Sequence, residues 1–224
     1  MSPDVLALGD DALIAAQRLG EWCSRGPDLE EDIALDQLGA ARLLLGLAGS
    51  REQPARTEDE LAFLRTDREF RNCLMVELPN GDFAVTMAKL LFLAAYQKPL
   101  YEELAAASSD DPELAAIAAK AVKESAYHLD HAALWTVRLG DGTEESHRRM
   151  QNAVDEIWPY THELFESHPD WLSTVDEVLR ESTLERPADG WRPTGGRDGV
   201  HTEHLSRLLA EMQVLHRAHP GVTW

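Results

Sequence analysis

Residues 82–139 run DFAVTMAKLLFLAAYQKPLYEELAAASSDDPELAAIAAKAVKESAYHLDHAALWTVRL, and the reading of this stretch decides the fold class. Apolar residues recur at three- and four-residue steps on both sides of Ser108-Ser109-Asp110-Asp111-Pro112, the period of a helix rather than the alternation of a strand. Asp82 is an N-cap type, so the spacing predicts a long helix from there to Ala107. The Ser/Asp/Pro stretch ends that helix and starts another to Leu139, with Gly140 in the left-handed C-cap position. Two long helices with a short connection make antiparallel neighbours.

The same period extends outward. Towards the N-terminus a helix is predicted from Asp10 to Arg25, a break at Gly26-Pro27, and a second helix from Asp28 to Ala48. Gly49 to Thr57 reads as a loop, and Thr57-Glu58-Asp59-Glu60 as a capping sequence that opens a short helix pair to Leu78. Pro79-Asn80-Gly81 is a turn. Towards the C-terminus, helices are predicted over Glu144–Glu166 and Asp170–Ser182. Arg186 to Gly199 is irregular. A last helix, Thr202–His216, carries Leu205, Leu208, Leu209, Met212 and Leu215 on one face. No interdomain linker is evident, so the expectation is one all-α domain over 1–224: a helical bundle with extra helices and an irregular segment before the C-terminal helix.

Composition narrows the function. The 224 residues carry 21 Lys plus Arg against 40 Asp plus Glu, a net charge of −19. A surface this acidic repels phosphates, which argues against nucleic acid and against anionic membranes as partners. Cys23 and Cys73 provide no disulfide framework and no Cys-rich zinc site, which fits the cytoplasm. Met1-Ser2-Pro3-Asp4 does not open a signal peptide. The apolar run around Leu90–Tyr96 is too short to span a bilayer.

Polar residues on the apolar faces come next. If the first hairpin turns near Arg25–Pro27, position 17 faces position 36; if the second turns near Asp110, position 94 faces position 124. A carboxylate-bridged di-iron bundle needs a carboxylate on each of four helices, two of them followed by His at the third position. Here the four stations hold Gln17, Asp36, Ala94 and Glu124. Asp36 is in line with Ile33, Ala40 and Leu44, and Glu124 with Ile117, Ala121, His128 and Trp135. Both carboxylates are therefore expected in or along the core, where they must be paired, metal-bound or protonated. The third position after Asp36 is Gly39, and after Glu124 it is Tyr127, with His128 one place late. The donor count falls short of a di-iron site; pairing by Arg18, Arg42, His128 or His131 is the plainer reading, and a pocket role stays open. His201-Thr202-Glu203-His204 resembles a metal cluster in print, but a helix start turns Glu203 away from the two His, so a capping or surface role is preferred. Gly195-Gly196-Arg197 could nest an anion or be a plain Gly-rich linker. Asp67 to Asn72 concentrates Arg68, Glu69, Phe70 and Arg71 and is either a phosphate-and-base contact or an ion-paired helix face. No nucleophile elbow and no phosphate-binding Gly-rich loop occurs.

Four blocks together resemble the C subunits of phenylacetyl-CoA epoxidases: Arg18-Leu19-Gly20-Glu21-Trp22-Cys23, Val76-Glu77-Leu78-Pro79-Asn80-Gly81-Asp82-Phe83-Ala84, Lys123-Glu124-Ser125-Ala126-Tyr127-His128-Leu129, and Thr194-Gly195-Gly196-Arg197-Asp198-Gly199-Val200-His201-Thr202-Glu203-His204-Leu205 with Leu209-Ala210-Glu211-Met212-Gln213. Order and spacing match from Leu8 to Trp224, with one departure, a shorter second helix between Ile33 and Gln37. The resemblance implies a ferritin-like fold without metal or catalytic residues of its own, serving as the structural partner of a di-iron A subunit. It further implies a B subunit and a reductase with FAD and an iron–sulfur cluster. That system uses NADPH and O₂ to epoxidise the ring of phenylacetyl-CoA in phenylacetate breakdown. It implies no cofactor in this chain, and it leaves room for a homodimer of the isolated chain. It places the stretch matching Arg68, Glu69, Phe70, Arg71 and Asn72 near the CoA end of a substrate bound mainly by the partner. A partner of this kind buries a large apolar surface, for which six Trp are available anchors. The alternatives are a self-sufficient ferritin-like di-metal oxidase and a helical interaction protein unrelated to oxygen chemistry.

Overall fold

A computed structural model describes residues 4–22, 28–107, 109, 111–166 and 168–222, without the side chains of 28–31. The turns read at Arg25–Pro27 and at Asp110, together with Cys23, Ser108 and Trp224, lie outside the described residues. Among those described there are helices and no strand: α1 (Val5–Gly20), α2 (Asp28–Ser50), α3 (Glu58–Phe63), α4 (Leu74–Glu77), α5 (Phe83–Ala106), α6 (Pro112–Gly140), α7 (Glu144–Ile157), α8 (His162–Phe165), α9 (Leu172–Glu181), α10 (Glu203–Met212) and α11 (Val214–Ala218). The all-α class is as the sequence reading has it. Met1–Pro79 and Gly195–Trp224 form one compact unit, and Asn80–Thr194 forms a second.

In the first unit α1 starts earlier than expected. Asp4, not Asp10, is its N-cap, and its carboxylate accepts from the N–H groups of Leu6 (3.0 Å) and Ala7 (3.4 Å). Asp10 and Asp11 are instead interior helix residues, buried with Ala12, Leu13 and Ile14. α1 and α2 run antiparallel, since Leu13 neighbours Leu38, Ala41 and Leu45 while Gln17 and Gly20 neighbour Ala34 and Leu35. The buried stripe of α2 passes through Ile33, Gln37, Ala40, Ala41 and Leu44. Asp36, expected on that stripe, stands on its flank and is half-buried.

The helix pair expected over Glu58–Leu78 is shorter than its pattern. Thr57 and Glu60 form the capping box, with Thr57 N–H donating to Glu60 (2.7 Å) and Glu60 N–H to Thr57 Oγ1 (3.1 Å). α3 nevertheless stops at Phe63, and α4 is a single turn. The carbonyls left unpaired at a helix end need donors. Gln213 supplies Nε2–H to Ala62 O (2.9 Å) and Arg65 O (3.0 Å), and Arg217 supplies Nε–H to Phe63 O (3.2 Å). That requirement also breaks the last helix: α10 ends at Met212, and Gln213 turns inward. Leu205, Leu208 and Leu209 are buried as expected, Met212 only in part, and Leu215, placed on the same face by the period, is 63% exposed.

In the second unit Asp82 caps α5, accepting from Val85 N–H at 3.2 Å, and Asp111 caps α6, accepting from Leu114 N–H at 3.1 Å with Pro112 in the first turn. α5 is buried nearly all round through its middle, from Ala84 to Ala95, which marks a core helix rather than an amphipathic one. The two helices are antiparallel. Phe83 meets Trp135 edge-on at 5.1 Å near one end, and Tyr101 packs with Ala118 and Ala121 at the other. The buried stripe of α6 is Leu114, Ala118, Ala121, Ser125, His128, Ala132 and Thr136. Glu124, expected on that line, flanks it. α7 ends at Ile157, short of Glu166, because Pro159 has no N–H to continue the ladder; a 3₁₀ turn, Trp158–Thr161, and α8 follow. Gly140 is not the left-handed cap, since it lies inside α6 and Asp141 caps the helix at a negative φ of −92°.

Gly140 is required for a different reason. A Cβ there would stand 2.3 Å from Ser182 O and 2.7 Å from Ser182 Cβ. Gly140→Ala is expected to lower unfolding stability by about 1–3 kcal/mol, the usual cost of overpacking, measured by urea denaturation. An unchanged midpoint would show that the α6–α9 approach relaxes freely.

Candidate functional site

The densest buried polar network lies in the first unit, where α1, residues 65–77 and residues 195–204 meet. Asp10 and Asp11 are consecutive on α1, so their side chains diverge by about 100°. Asp10 accepts from both terminal nitrogens of Arg65, at 2.9 Å through Nη1, and from Arg71 N–H at 2.8 Å. Both Asp10 and Arg65 are buried. Burial pushes the Asp10 carboxyl up, against the pull of the Arg65 guanidinium. Asp11 accepts from Arg197 Nη1 (2.8 Å) and Nη2 (2.7 Å) and from Cys73 N–H (2.7 Å). Arg197 also donates to Arg71 O at 2.8 Å, and Arg18 donates through Nη2 to Glu77 O at 2.6 Å.

Glu77 is sealed from solvent and forms the second half of the network. Thr202 Oγ1 donates to its Oε2 (3.1 Å), and His201 Nδ1 lies 3.2 Å from its Oε1. His201 Nε2 faces Phe70 O at 3.0 Å and must donate to it, because a carbonyl only accepts. One further proton is therefore shared between Nδ1 and the carboxylate. Burial pushes Glu77 above its ordinary range, while His201 and Thr202 pull it back.

The residues singled out by the sequence sit as follows. Phe70 is fully buried under the Arg65 guanidinium, 4.1 Å from its ring centroid. Asn72 is buried and donates to Cys73 O (3.0 Å). The Arg71 guanidinium turns back on Arg68 O and Phe70 O, both at 2.9 Å. Glu69 closes a capping box with Thr66, accepting from its N–H and its hydroxyl at 2.8 Å. Arg68 projects into solvent and donates no side-chain hydrogen bond among the described residues. At Gly195–Val200 the amides of Asp198 and Val200 bond Gly195 O (2.9 Å each), and Arg197 is spent on Asp11, so the turn is closed on itself rather than open to an anion. Its chain reversal uses the positive φ of Gly195 (118°) and Gly199 (78°). His201 ties down the buried loop instead of lying on the surface, and Thr202 is the N-cap of α10.

The four helix stations do not form a donor set for a dinuclear metal. Ala94 is a sealed methyl and Gln17 a half-buried amide. Glu124, its side chain 19% exposed, is held by Lys120 on its own helix at 2.5 Å. Arg42, named as a partner for these carboxylates, lies 3.5 Å from Glu58. No three His, Cys, Asp or Glu side chains converge among the described residues. The sequence reading missed Asp10, Asp11, Arg65 and Glu77. The signal was there: two adjacent carboxylates inside VLALGDDALIAAQ need buried cations.

A family model described as phenylacetic acid catabolic protein matches residues 3–170 and 168–224. Across 243 residues the chain is 42% identical to the C subunit of 1,2-phenylacetyl-CoA epoxidase from Escherichia coli (strain K12), covering 98% of this chain and 97% of the relative.

The two buried or capping glutamates titrate with opposite sign. Burial raises Glu77, so the folded chain holds that proton more tightly than the unfolded one, and its contribution to stability falls as pH rises above 4.5 through the folded value. Hydrogen bonds from Thr66 lower Glu69, so its contribution is present above pH 4.5 and is lost as pH falls through the folded value. Urea midpoints from pH 3 to 8 are expected to flatten at the alkaline side in Glu77→Gln and at the acid side in Glu69→Gln. Parallel profiles for both variants and the parent would contradict this assignment.

Proposed function

We propose, from the fact that the chain belongs to the family of phenylacetic acid catabolic proteins, that it works as a non-catalytic structural subunit of a phenylacetyl-CoA 1,2-epoxidase. In this reading the chemistry belongs to a ferritin-like di-iron A subunit, supported by a B subunit and by a reductase holding FAD and an iron–sulfur cluster. NADPH supplies the electron pair, one oxygen atom of O₂ enters the ring, and the other leaves as water. The complex works in the cytoplasm, and the chain acts there as one ferritin-like domain, inactive when alone.

The donor chemistry of the two long helix pairs carries this reading. Where an oxygen-activating bundle places a carboxylate on each of four helices, α5 presents Ala94, α1 presents Gln17, and α6 buries Ser125, His128 and His131 while Glu124 is paired with Lys120 on its flank. The polar network supports it from another side, because its Arg and His side chains bind internal carboxylates and carbonyls, which makes a stiff body. A stiff neighbour is what a metal centre with sub-ångström tolerances needs. Leu35 and Leu38, one helical turn apart on α2, are 58% and 48% exposed beside the α1–α2 groove and are the apolar side chains we assign to the partner. Arg68 is the side chain of the 68–72 stretch assigned to the CoA end of the substrate.

The expected outcome of purification from iron-rich medium is substoichiometric iron and no turnover for the chain alone, with NADPH- and O₂-dependent epoxidation once the di-iron partner is added. Two irons per chain, or turnover without a partner, overturns the proposal. Leu35→Asp with Leu38→Asp should abolish co-elution with the partner at unchanged circular dichroism. Arg68→Gln should raise KM for phenylacetyl-CoA several-fold at constant kcat; a fall in kcat alone argues for a different role.

A further inference from the structure

We infer that the cavity between the Trp158–Glu166 turn and the Arg186–Arg192 segment of the second unit is a binding site for a small aromatic carboxylate. It lies in neither the buried network nor the helix pairs discussed above, and it does not depend on the epoxidase reading. Its volume is about 220 Å³. An apolar cavity of about 150 Å³ accommodates benzene, so this one has room for a single ring with a small polar group. Phe165, Pro169 and Leu172 supply apolar wall, and the Trp158 indole lies under the Arg186 guanidinium, 4.7 Å from the ring centroid.

Two buried ring nitrogens on this wall, Trp158 Nε1 and His162 Nε2, have no hydrogen-bond partner among the described residues. They are one helical turn apart, with ring centroids 5.8 Å apart. Indole N–H only donates, and a buried donor left unpaired is destabilising. Both nitrogens are closed to solvent, so an acceptor oxygen in the cavity removes that cost once the indole and imidazole rings turn slightly towards it. Asp189 does not supply it, since its Oδ1 stands 3.8 Å from His162 Nε2, beyond hydrogen-bond reach.

The charges on the wall select a carboxylate over a neutral acceptor. Arg192 meets Asp189 through Nη2 at 3.3 Å and is half-exposed, leaving guanidinium N–H groups for a second carboxylate. Arg186 is held in place by Asp176 at 3.0 Å. Glu166 is on the outer rim and exposed. Burial, with Arg192 second, holds His162 below its ordinary range. A bound carboxylate opposes the Arg192 field and raises His162, which provides a readout.

The test titrates sodium benzoate into the full-length chain, following assigned indole N–H and His162 ring resonances. The expected result is a saturable shift of the Trp158 N–H, a higher His162 titration midpoint, and about tenfold weaker binding in Arg192→Gln, whose side chain is half-exposed and outside the core. Benzamide, of the same shape without charge, should bind at least tenfold more weakly. No Trp158 shift up to about 10 mM benzoate, ten times a millimolar Kd, overturns the site. Equal binding by benzamide, or benzoate affinity unchanged in Arg192→Gln, overturns the carboxylate assignment.

Discussion

Asp10 and Asp11 put two adjacent negative charges inside an apolar helix, and that placement constrains the first unit more than any other feature. An ionised carboxylate away from water must be matched by a cation and by hydrogen-bond donors. Because consecutive helix residues diverge, one partner cannot serve both. Arg65 comes from just after α3 and Arg197 from the irregular segment before α10. Each brings its neighbours with it: the amides of Arg71 and Cys73 find acceptors on the same two carboxylates, and Glu77 then collects His201 and Thr202. Stretches with little regular structure are thereby seated on α1 by charge and direction. Apolar packing alone is tolerant of small shifts; a bidentate guanidinium–carboxylate pair is not.

The second unit is organised by shape. The buried stripe of α6 is mostly small side chains, Ala118, Ala121, Ser125 and Ala132, with Leu114 and His128 among them. α5 answers with Leu, Met and Phe buried on nearly every side. Aromatic contacts pin the pair near its ends, with Phe83 on Trp135 and Tyr101 on the alanines. At the far end of α6, Gly140 lets the Ser182 carbonyl approach closer than any side chain would allow.

These two ways of making a rigid body bear on function. The chain belongs to a family concerned with phenylacetic acid breakdown, and the core of its long helices holds Gln37, Ala94, Ser125, His128 and His131, with Asp36 and Glu124 on the flanks. The charged residues of the buried network are engaged with one another. Both features suit a subunit whose value lies in its shape and stiffness and in the surface it offers a partner, while the exposed leucines of α2 are an apolar surface on a chain of net charge −19.

The chain's own letters determined the helical class, the antiparallel pairs, the capping residues Thr57 and Asp82, and the family, because period, cap chemistry and block order are local and readable in one dimension. Phase was less legible. Asp36 and Glu124 were read on the core stripe, yet the stripe runs through Gln37 and Ser125, since an error of one residue turns a helix by about 100°. Asp10 looked like a helix start because Asp is a good cap; only the arrival of Arg65, 55 residues later, explains why it can be buried mid-helix. The partnership of Glu77 with His201 across 124 residues, and the break at Gln213 that supplies donors to α3, were likewise decided by tertiary structure. Pairing of buried charge and the satisfaction of orphaned carbonyls depend on what lies near in space, and sequence separation carries no record of that distance.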